Sequence, residues 1–191
     1  METKLTKQMV ENIQIDHGIL FLDYGEESQT LIGPTRGGGN FKAERTYRNI
    51  EYDGMKGDTQ GLVTIDDENA TLTIKTINAS LDTFELKLPG AKITKDEGNK
   101  KITKIEAGGL GIIKDEVYKK NATLFAQKVG GKFVKITIRR PLDKNGVDFS
   151  AVQKAEGEIE LALRAHHKYD DDTTEPIYTI EDVDDMDLEV L

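Results

Sequence analysis

Residues 33–62 begin Gly33-Pro34-Thr35-Arg36-Gly37-Gly38-Gly39-Asn40-Phe41. They continue Lys42-Ala43-Glu44-Arg45-Thr46-Tyr47-Arg48-Asn49-Ile50-Glu51-Tyr52-Asp53 and close on Gly54-Met55-Lys56-Gly57-Asp58-Thr59-Gln60-Gly61-Leu62. A Gly-Pro step before three glycines marks a turn rather than the inside of a helix or strand, because glycine takes positive φ freely and proline lacks an N–H donor. The middle stretch, Phe41–Tyr52, is a strand. Phe41, Ala43, Arg45 and Tyr47 fall on one side, and Lys42, Glu44, Thr46 and Arg48 on the other. Neither side is wholly apolar, so this strand needs something beyond its own core to lie against. Residues 33–61 are read as a long protruding loop.

Outward from this stretch the pattern is that of a β protein. Upstream, Ile13, Ile15, Ile19 and Phe21 lead into a first core strand, Asp23–Ser28 is a turn, and Gln29–Ile32 is a short strand. Met1–Glu11 is polar and unpatterned, read as an arm, with simple terminal disorder as the alternative. Downstream, Leu62–Asp66 and Ala70–Ile77 are strands with Asp66-Asp67-Glu68-Asn69 as their turn. Leu81–Leu88 is the one helix. Ser80 caps it, Asp82 sits in its first turn, Leu81, Phe84 and Leu88 share a face, and Pro89-Gly90 stops it. Ala91–Thr94 and Lys101–Glu106 form a hairpin, as do Tyr118–Gln127 and Lys132–Arg140 around Val129-Gly130-Gly131. Asp143–Gly146 is a turn. Glu158–Ala165 reads as the last core strand, although its apolar spacing also fits a helix. Eight or more strands and one short helix predict antiparallel sheets closing into a β-barrel or β-sandwich with a flanking α-helix.

Composition narrows the function classes. The 191 residues suit one core, and an apolar content of 37% makes that core modest. Without cysteine there is no disulfide framework, thiol catalysis or cysteine zinc site. The start METKLTKQMVENIQ has no signal-peptide pattern, and no window approaches the roughly 18–20 apolar residues of a membrane span. The expectation is a cytoplasmic protein, unless it leaves as part of a particle. The net charge of −9 is uneven: 10 of the 35 acids lie between Tyr169 and Leu191, where there is no Lys or Arg, so the body has 25 acids against 26 bases. The acidity belongs to a C-terminal arm, 169–191, which includes Asp170, Asp171, Asp172, Asp184 and Asp185.

The string GPTRGGGNFKAERTYRNIEYDGMKGDTQGL resembles the corresponding segment of major tail proteins of long, non-contractile-tailed bacteriophages, the subunits of the tail tube. The resemblance runs over residues 12–168 and is strongest from Gly18 to Leu62. It rests on the short strand before GPTRGGG, the polar strand after it and the Gly-Lys-Gly-type loop that follows. It implies a β-barrel-like sandwich that forms hexameric rings. The rings would stack into a tube around a tape-measure protein, between a tail terminator and a distal tail protein, as part of a virion tail assembled in a bacterial host cytoplasm. On this expectation the N-terminal arm (1–12), the loop 33–61 and the acidic arm (169–191) flank or protrude from a domain spanning 13–168. They are mobile in the monomer and order against neighbouring copies. The assembly residues are Gly33, Pro34, Arg36, Gly37, Gly38, Gly39, Phe41, Tyr47, Gly54, Gly57 and Gly61. DNA passes through the lumen without specific binding, which asks for acidic or mixed walls.

No residue set points to catalysis, a metal or a cofactor. Arg36 beside three glycines could be drawn as an anion nest, but it lacks the strand-to-helix context of a phosphate loop. His166 and His167 precede three aspartates, yet adjacent positions on a strand point to opposite faces. Residues Asp182–Glu189 lack the central glycine of a calcium loop. Lys92, Lys95, Lys100, Lys101 and Lys104 make a basic hairpin without interleaved aromatics. Two rivals to the tube subunit remain. One is another component of the same fold: a tail terminator, a contractile or type VI-like tube protein, or a head decoration protein. The other is a monomeric β-sandwich binding module, although a chain without Trp has few aromatics for it.

Overall fold

The structure, a computed structural model, describes residues 5–15, 18–98, 101–150, 156–170 and 175–186. Near the N-terminus, Thr6 accepts a hydrogen bond from the Met9 N–H (3.2 Å) and caps a one-turn helix, α1 (Lys7–Glu11), which buries no residue. The expected arm therefore carries a helical turn. It is fastened to the turn of a distant hairpin, through the Gly130 N–H to the Glu11 carbonyl (3.0 Å) and the Val129 N–H to the Ile13 carbonyl (2.8 Å).

The strands follow as β1 (Ile19–Leu22), β2 (Thr30–Ile32), β3 (Thr35–Asn49) and β4 (Val63–Thr76). After helix α2 (Leu81–Lys87) come β5 (Lys92–Lys95), β6 (Ile102–Glu106), β7 (Asn121–Gln127) and β8 (Phe133–Arg139). The last are β9 (Leu142–Asp143), β10 (Ile159–Arg164) and β11 (Tyr178–Val183). All pairings are antiparallel, in sheets ordered β11-β8-β7-β1-β2, β3-β4-β10-β9 and β5-β6. The fold is mainly β and sandwich-like; the sheets do not close into a barrel.

The core lies between the two larger sheets. Leu20 and Leu22 of β1, Leu124 of β7 and Ile138 of β8 meet Leu72 and Ile74 of β4 and Leu161 and Leu163 of β10. Alternation puts these residues on one face of each strand, and each buried Leu or Ile contributes about 1.5–3 kcal/mol of transfer free energy. The opposite face of the first sheet holds an aromatic group in which Phe21 and Phe125 meet edge to face at 6.0 Å and Tyr24 closes on Phe125 at 5.0 Å.

Three expectations need correction. Asp66-Asp67-Glu68-Asn69 is not a turn, since β4 runs through it without interruption. Its polarity reflects exposure on both faces. Gly37–Gly39 do not interrupt the strand either: they lie inside β3 as a bulge, with positive φ at Gly37 (79°) and Gly38 (74°). Finally, the acidic C-terminal segment is not a free arm. Residues Tyr178–Val183 form the outer strand β11 against β8, and Ile177 beside it is only 3% exposed. Cations on β8 and on the turn before it draw it in: Asp182 meets Lys128 (2.7 Å), Asp184 meets Lys132 (2.5 Å), Glu181 meets Lys135 (3.2 Å) and Glu175 meets Arg139.

Helix α2 forms as expected, with the Ser80 hydroxyl accepting from the Thr83 N–H (3.3 Å). Its inner face differs from the expected Leu81–Phe84–Leu88 stripe. Leu81 is exposed and Phe84 packs edge to face on Phe149 (5.6 Å), while Leu88 is a half-buried cap. The residues turned inward are Thr83, Leu86 and Lys87. Lys87 is buried because its ammonium meets the fully buried Asp143 carboxylate at 2.9 Å. That carboxylate also accepts from the Ala162 and Asn145 N–H groups, each at 2.8 Å.

Candidate assembly site: the β3–β4 hairpin

The hairpin starts at the Gly33–Pro34 peptide, which is cis. The Pro34 carbonyl accepts from the Ile77 N–H (3.1 Å) and the Thr76 hydroxyl (3.0 Å), fixing the root to the end of β4. Between the pairs Thr35–Thr76 and Gly39–Ile74, the residues Arg36, Gly37 and Gly38 oppose Lys75 alone. The bulge throws Arg36 outward onto Glu156 (2.8 Å) and Glu158 (3.3 Å). Hydrogen bonds that Arg36 donates to Glu156 and then Glu158 raise its pKa. Glu156 is lowered first by its own backbone N–H and then by Arg36. The guanidinium is thus taken by two carboxylates, and the anion-nest alternative fails on that pairing.

Past the bulge, the pairs Phe41–Leu72 and Ala43–Ala70 still lie over the core, with Phe41 against Tyr178 at 5.3 Å between ring centres. Beyond Ala70 the hairpin leaves the sandwich. From Glu44 to Asn49 it projects about 17 Å at the usual strand rise. Arg45 is ion-paired with Glu68, the next cross-strand pair on the core-facing side.

A second bulge then decides the chemistry of the tip. Thr46 pairs with Asp67, but Tyr47 pairs with Ile65, so β4 carries one extra residue, Asp66. On β3 alternation is unbroken, and Tyr47 and Asn49 stay on the side of Phe41. Their partners Ile65 and Val63 therefore join them, although odd-numbered residues higher on β4 face the other way. The result is an uncovered apolar surface continuous with the core-facing side, with Tyr47 59%, Ile65 54% and Val63 49% exposed. The reverse side is ionic: Arg48 meets Asp66 at 2.8 Å, and Asp66, held by Arg48 and then by the Thr64 hydroxyl, has its carboxyl pKa below the ordinary carboxylate range.

The connection from Ile50 to Leu62 is built of turns at Gly54, Gly57 and Gly61, all at positive φ. Asn49 donates to Asp58 (2.6 Å) and the Ile50 N–H to the Leu62 carbonyl (2.8 Å). Ile50 and Tyr52, both exposed, add to the apolar tip. The expectation of a backbone left open for a neighbour is therefore corrected. From Thr35 to Asn49 the backbone bonds to β4 of the same chain, and what remains uncovered is a face of side chains.

The other sequence-derived residues lie apart from this site. Asp170 pairs with Lys168 (3.0 Å), Asp184 with Lys132, and Asp185 accepts from the Met186 N–H (2.8 Å). Asp171 and Asp172 lie outside the described residues. His166 turns its Nδ1 to the Arg140 carbonyl (3.2 Å). Lys92, Lys95, Lys101 and Lys104 lie on or beside β5 and β6, and Lys100 lies outside the described residues. Sequence reading missed the Tyr47–Ile65–Val63 surface as a unit. Its signal, apolar residues at 63 and 65 out of step with Ala70, Leu72 and Ile74, is interpretable only with the bulge. Among the described residues no helix is long and apolar enough to cross a membrane. Comparison with protein-family models gives no match, and neither does comparison with curated protein sequences.

Proposed function

We propose that the protein is a self-assembling structural subunit: a phage tail tube protein that forms stacked hexameric rings around a tape-measure protein and carries no catalytic activity. The observation that carries this proposal is the projecting β3–β4 hairpin, whose core-facing side continues as the exposed surface of Tyr47, Ile65 and Val63. An ordinary monomer gains nothing from holding a long hairpin with an apolar side in water, and such surfaces mark contact with another protein. A second copy supplies the partner, because head-to-tail contacts between unlike surfaces repeat into rings and filaments. The outer strands β2 and β11, and β3 and β9, offer further edges for lateral contact. In this proposal a tail terminator and a distal tail protein bound the tube, which resides in the virion tail, and DNA passes without specific binding.

Negative-stain microscopy of the purified chain at high concentration tests it. Long hollow tubes of uniform width are expected. A species that sediments as a monomer at every concentration and salt, with no tubes formed, overturns it.

A further inference from the structure

The N-terminal segment and β11 are both fastened to the turn between β7 and β8. Residues 128–132 form that turn, closed by the Lys128 N–H to the Lys132 carbonyl (2.8 Å) and the Gly131 N–H to the Lys128 carbonyl (3.0 Å). On one side it grips the N-terminal segment: Gly130 donates to Glu11, Val129 to Ile13, and the Ile15 N–H reaches the Gln127 carbonyl (3.1 Å) at the turn's edge. A side chain at Gly130 has no space there, since a Cβ would stand 3.1 Å from the Glu11 Cβ and 3.2 Å from its carbonyl oxygen. On the other side the turn meets β11 through Lys128–Asp182 and Lys132–Asp184.

Neither segment has a buried anchor near the turn. Every residue from Leu5 to Ile15 is exposed. Thr179 to Asp182 are exposed as well, on a strand that ends its sheet and pairs with β8 alone. Segments of this kind open at a small cost in free energy. Lys128 touches both of them. Its side chain is only 11% exposed, and its ammonium donates to the Asp182 carboxylate at 2.7 Å and to the Asn12 Oδ1 at 3.5 Å. The two contacts are therefore linked in energy. If β11 leaves, a nearly buried ammonium loses its counter-charge, and keeping the N-terminal segment beside it costs desolvation. If the N-terminal segment leaves, water reaches the ammonium and screens its pair with Asp182.

We propose that the β7–β8 turn is a two-sided latch: through Lys128, the N-terminal segment (Leu5–Ile15) and the outer half of β11 (Ile180–Val183) open and close together. The coupling is reciprocal, so loosening either side loosens the other. Ile177, buried at the root of β11, stays in place and limits the opening to the outer half. Opening leaves Phe133–Ile136 of β8 at a free sheet edge, with backbone groups available to another strand. The latch does not depend on the hairpin or on assembly.

The test is amide hydrogen exchange on the full ¹⁵N-labelled chain, with one side perturbed and the other read. Asp182→Asn removes the counter-charge of Lys128 on the β11 side, and is expected to speed exchange at Ile15, Val129 and Gly130 at least threefold. Gly130→Ala pushes on Glu11 without touching β11, and is expected to speed exchange across Ile180–Val183 at least threefold. Asn12→Ala, which leaves the backbone of the turn alone, carries the same expectation should the alanine strain the turn. Glu181→Gln is the control: it removes the Lys135 pair on the other face of β11 and leaves the Ile15, Val129 and Gly130 rates as they were. Exchange in β10 stays at wild-type rates in every variant, which shows the fold in place. Effects confined to the side that carries the substitution, or an equal response of Ile15, Val129 and Gly130 to Glu181→Gln and Asp182→Asn, overturn the proposal.

Discussion

Gly39 of β3 lies directly under Leu124 of β7: a Cβ on Gly39 would stand 2.8 Å from the Leu124 Cδ1. Gly18 meets the same methyl from another side, where a Cβ would come within 2.5 Å. Leu124 is only 4% exposed, so its methyl can shift only against other core side chains. The third glycine of the run is thus there for close approach between sheets, whereas Gly37 and Gly38 serve the bulge. Gly39→Val is expected to destabilise the fold by about 1–3 kcal/mol through overpacking. Leu124→Ala restores part of that loss in the double variant, which chemical denaturation in a double-mutant cycle measures as coupling.

The hairpin surface makes a different demand. Tyr47→Ser with Ile65→Ser removes exposed side chains and should leave monomer stability within about 0.5 kcal/mol. Tube formation is expected to be lost. Thermal melts and microscopy on the same preparations separate the two effects, and a variant that folds normally and still forms tubes rules the surface out as a contact.

The pair Lys87–Asp143 is a buried charge pair whose removal from one side should cost more than removal from both. Lys87→Met leaves the Asp143 carboxylate buried with only backbone donors, at a cost of about 3–5 kcal/mol. The double variant Lys87→Met/Asp143→Leu is expected to be more stable than Lys87→Met alone. Urea unfolding midpoints give the comparison.

His166 predicts a pH dependence of known sign. Burial first, and the nearby Lys144 second, push its pKa below the ordinary 6.5. As pH falls through 6.5 the unfolded chain takes up the proton before the folded one, so stability present above 6.5 declines toward the lowered folded value. His166→Asn, which can still donate to the Arg140 carbonyl, flattens the slope of Tm between pH 7 and pH 5. An unchanged slope removes His166 as its source.

For β11, two forces compete, and their sizes decide which one holds the strand. The Lys132–Asp184 pair raises the Lys132 pKa and lowers that of Asp184, yet both groups are exposed, and solvent screens such a pair until it contributes little. Ile177 is buried, and Ile→Ala in a core costs about 2–5 kcal/mol. Ile177→Ala should therefore raise hydrogen exchange across β11 far more than Lys132→Gln or added salt.

Much of the fold could be read from local pattern. The β5–β6 and β7–β8 hairpins, the strand β10 and the capped start of α2 all have alternation or a capping residue within a few positions. What escaped depended on distant partners. Lys87 looks like a solvent-facing position until Asp143, far along the chain, is placed under it. The acidic segment looked free because its partners, Lys128, Lys132, Lys135 and Arg139, lie on a hairpin 36 to 54 residues earlier in sequence. Residues 66–69 looked like a turn because a ribbon wet on both sides loses the apolar alternation that marks a strand. For the hairpin site, the side of β3 carrying Tyr47 was legible by parity, while the matching side of β4 was hidden by one inserted residue.

Asp66 works as a phase shifter. Were it paired in the ladder instead of bulged out, it would stand opposite Tyr47, and Ile65 and Val63 would turn to the wet flank. Deleting it leaves Ile65 opposite Tyr47, because Asp67 and Ile65 then follow each other in regular alternation; the bulge is what re-aims the greasy stripe by half a revolution. The direction in which the stripe faces is therefore a discrete setting of the ladder, which gradual substitution elsewhere on the ribbon leaves in place.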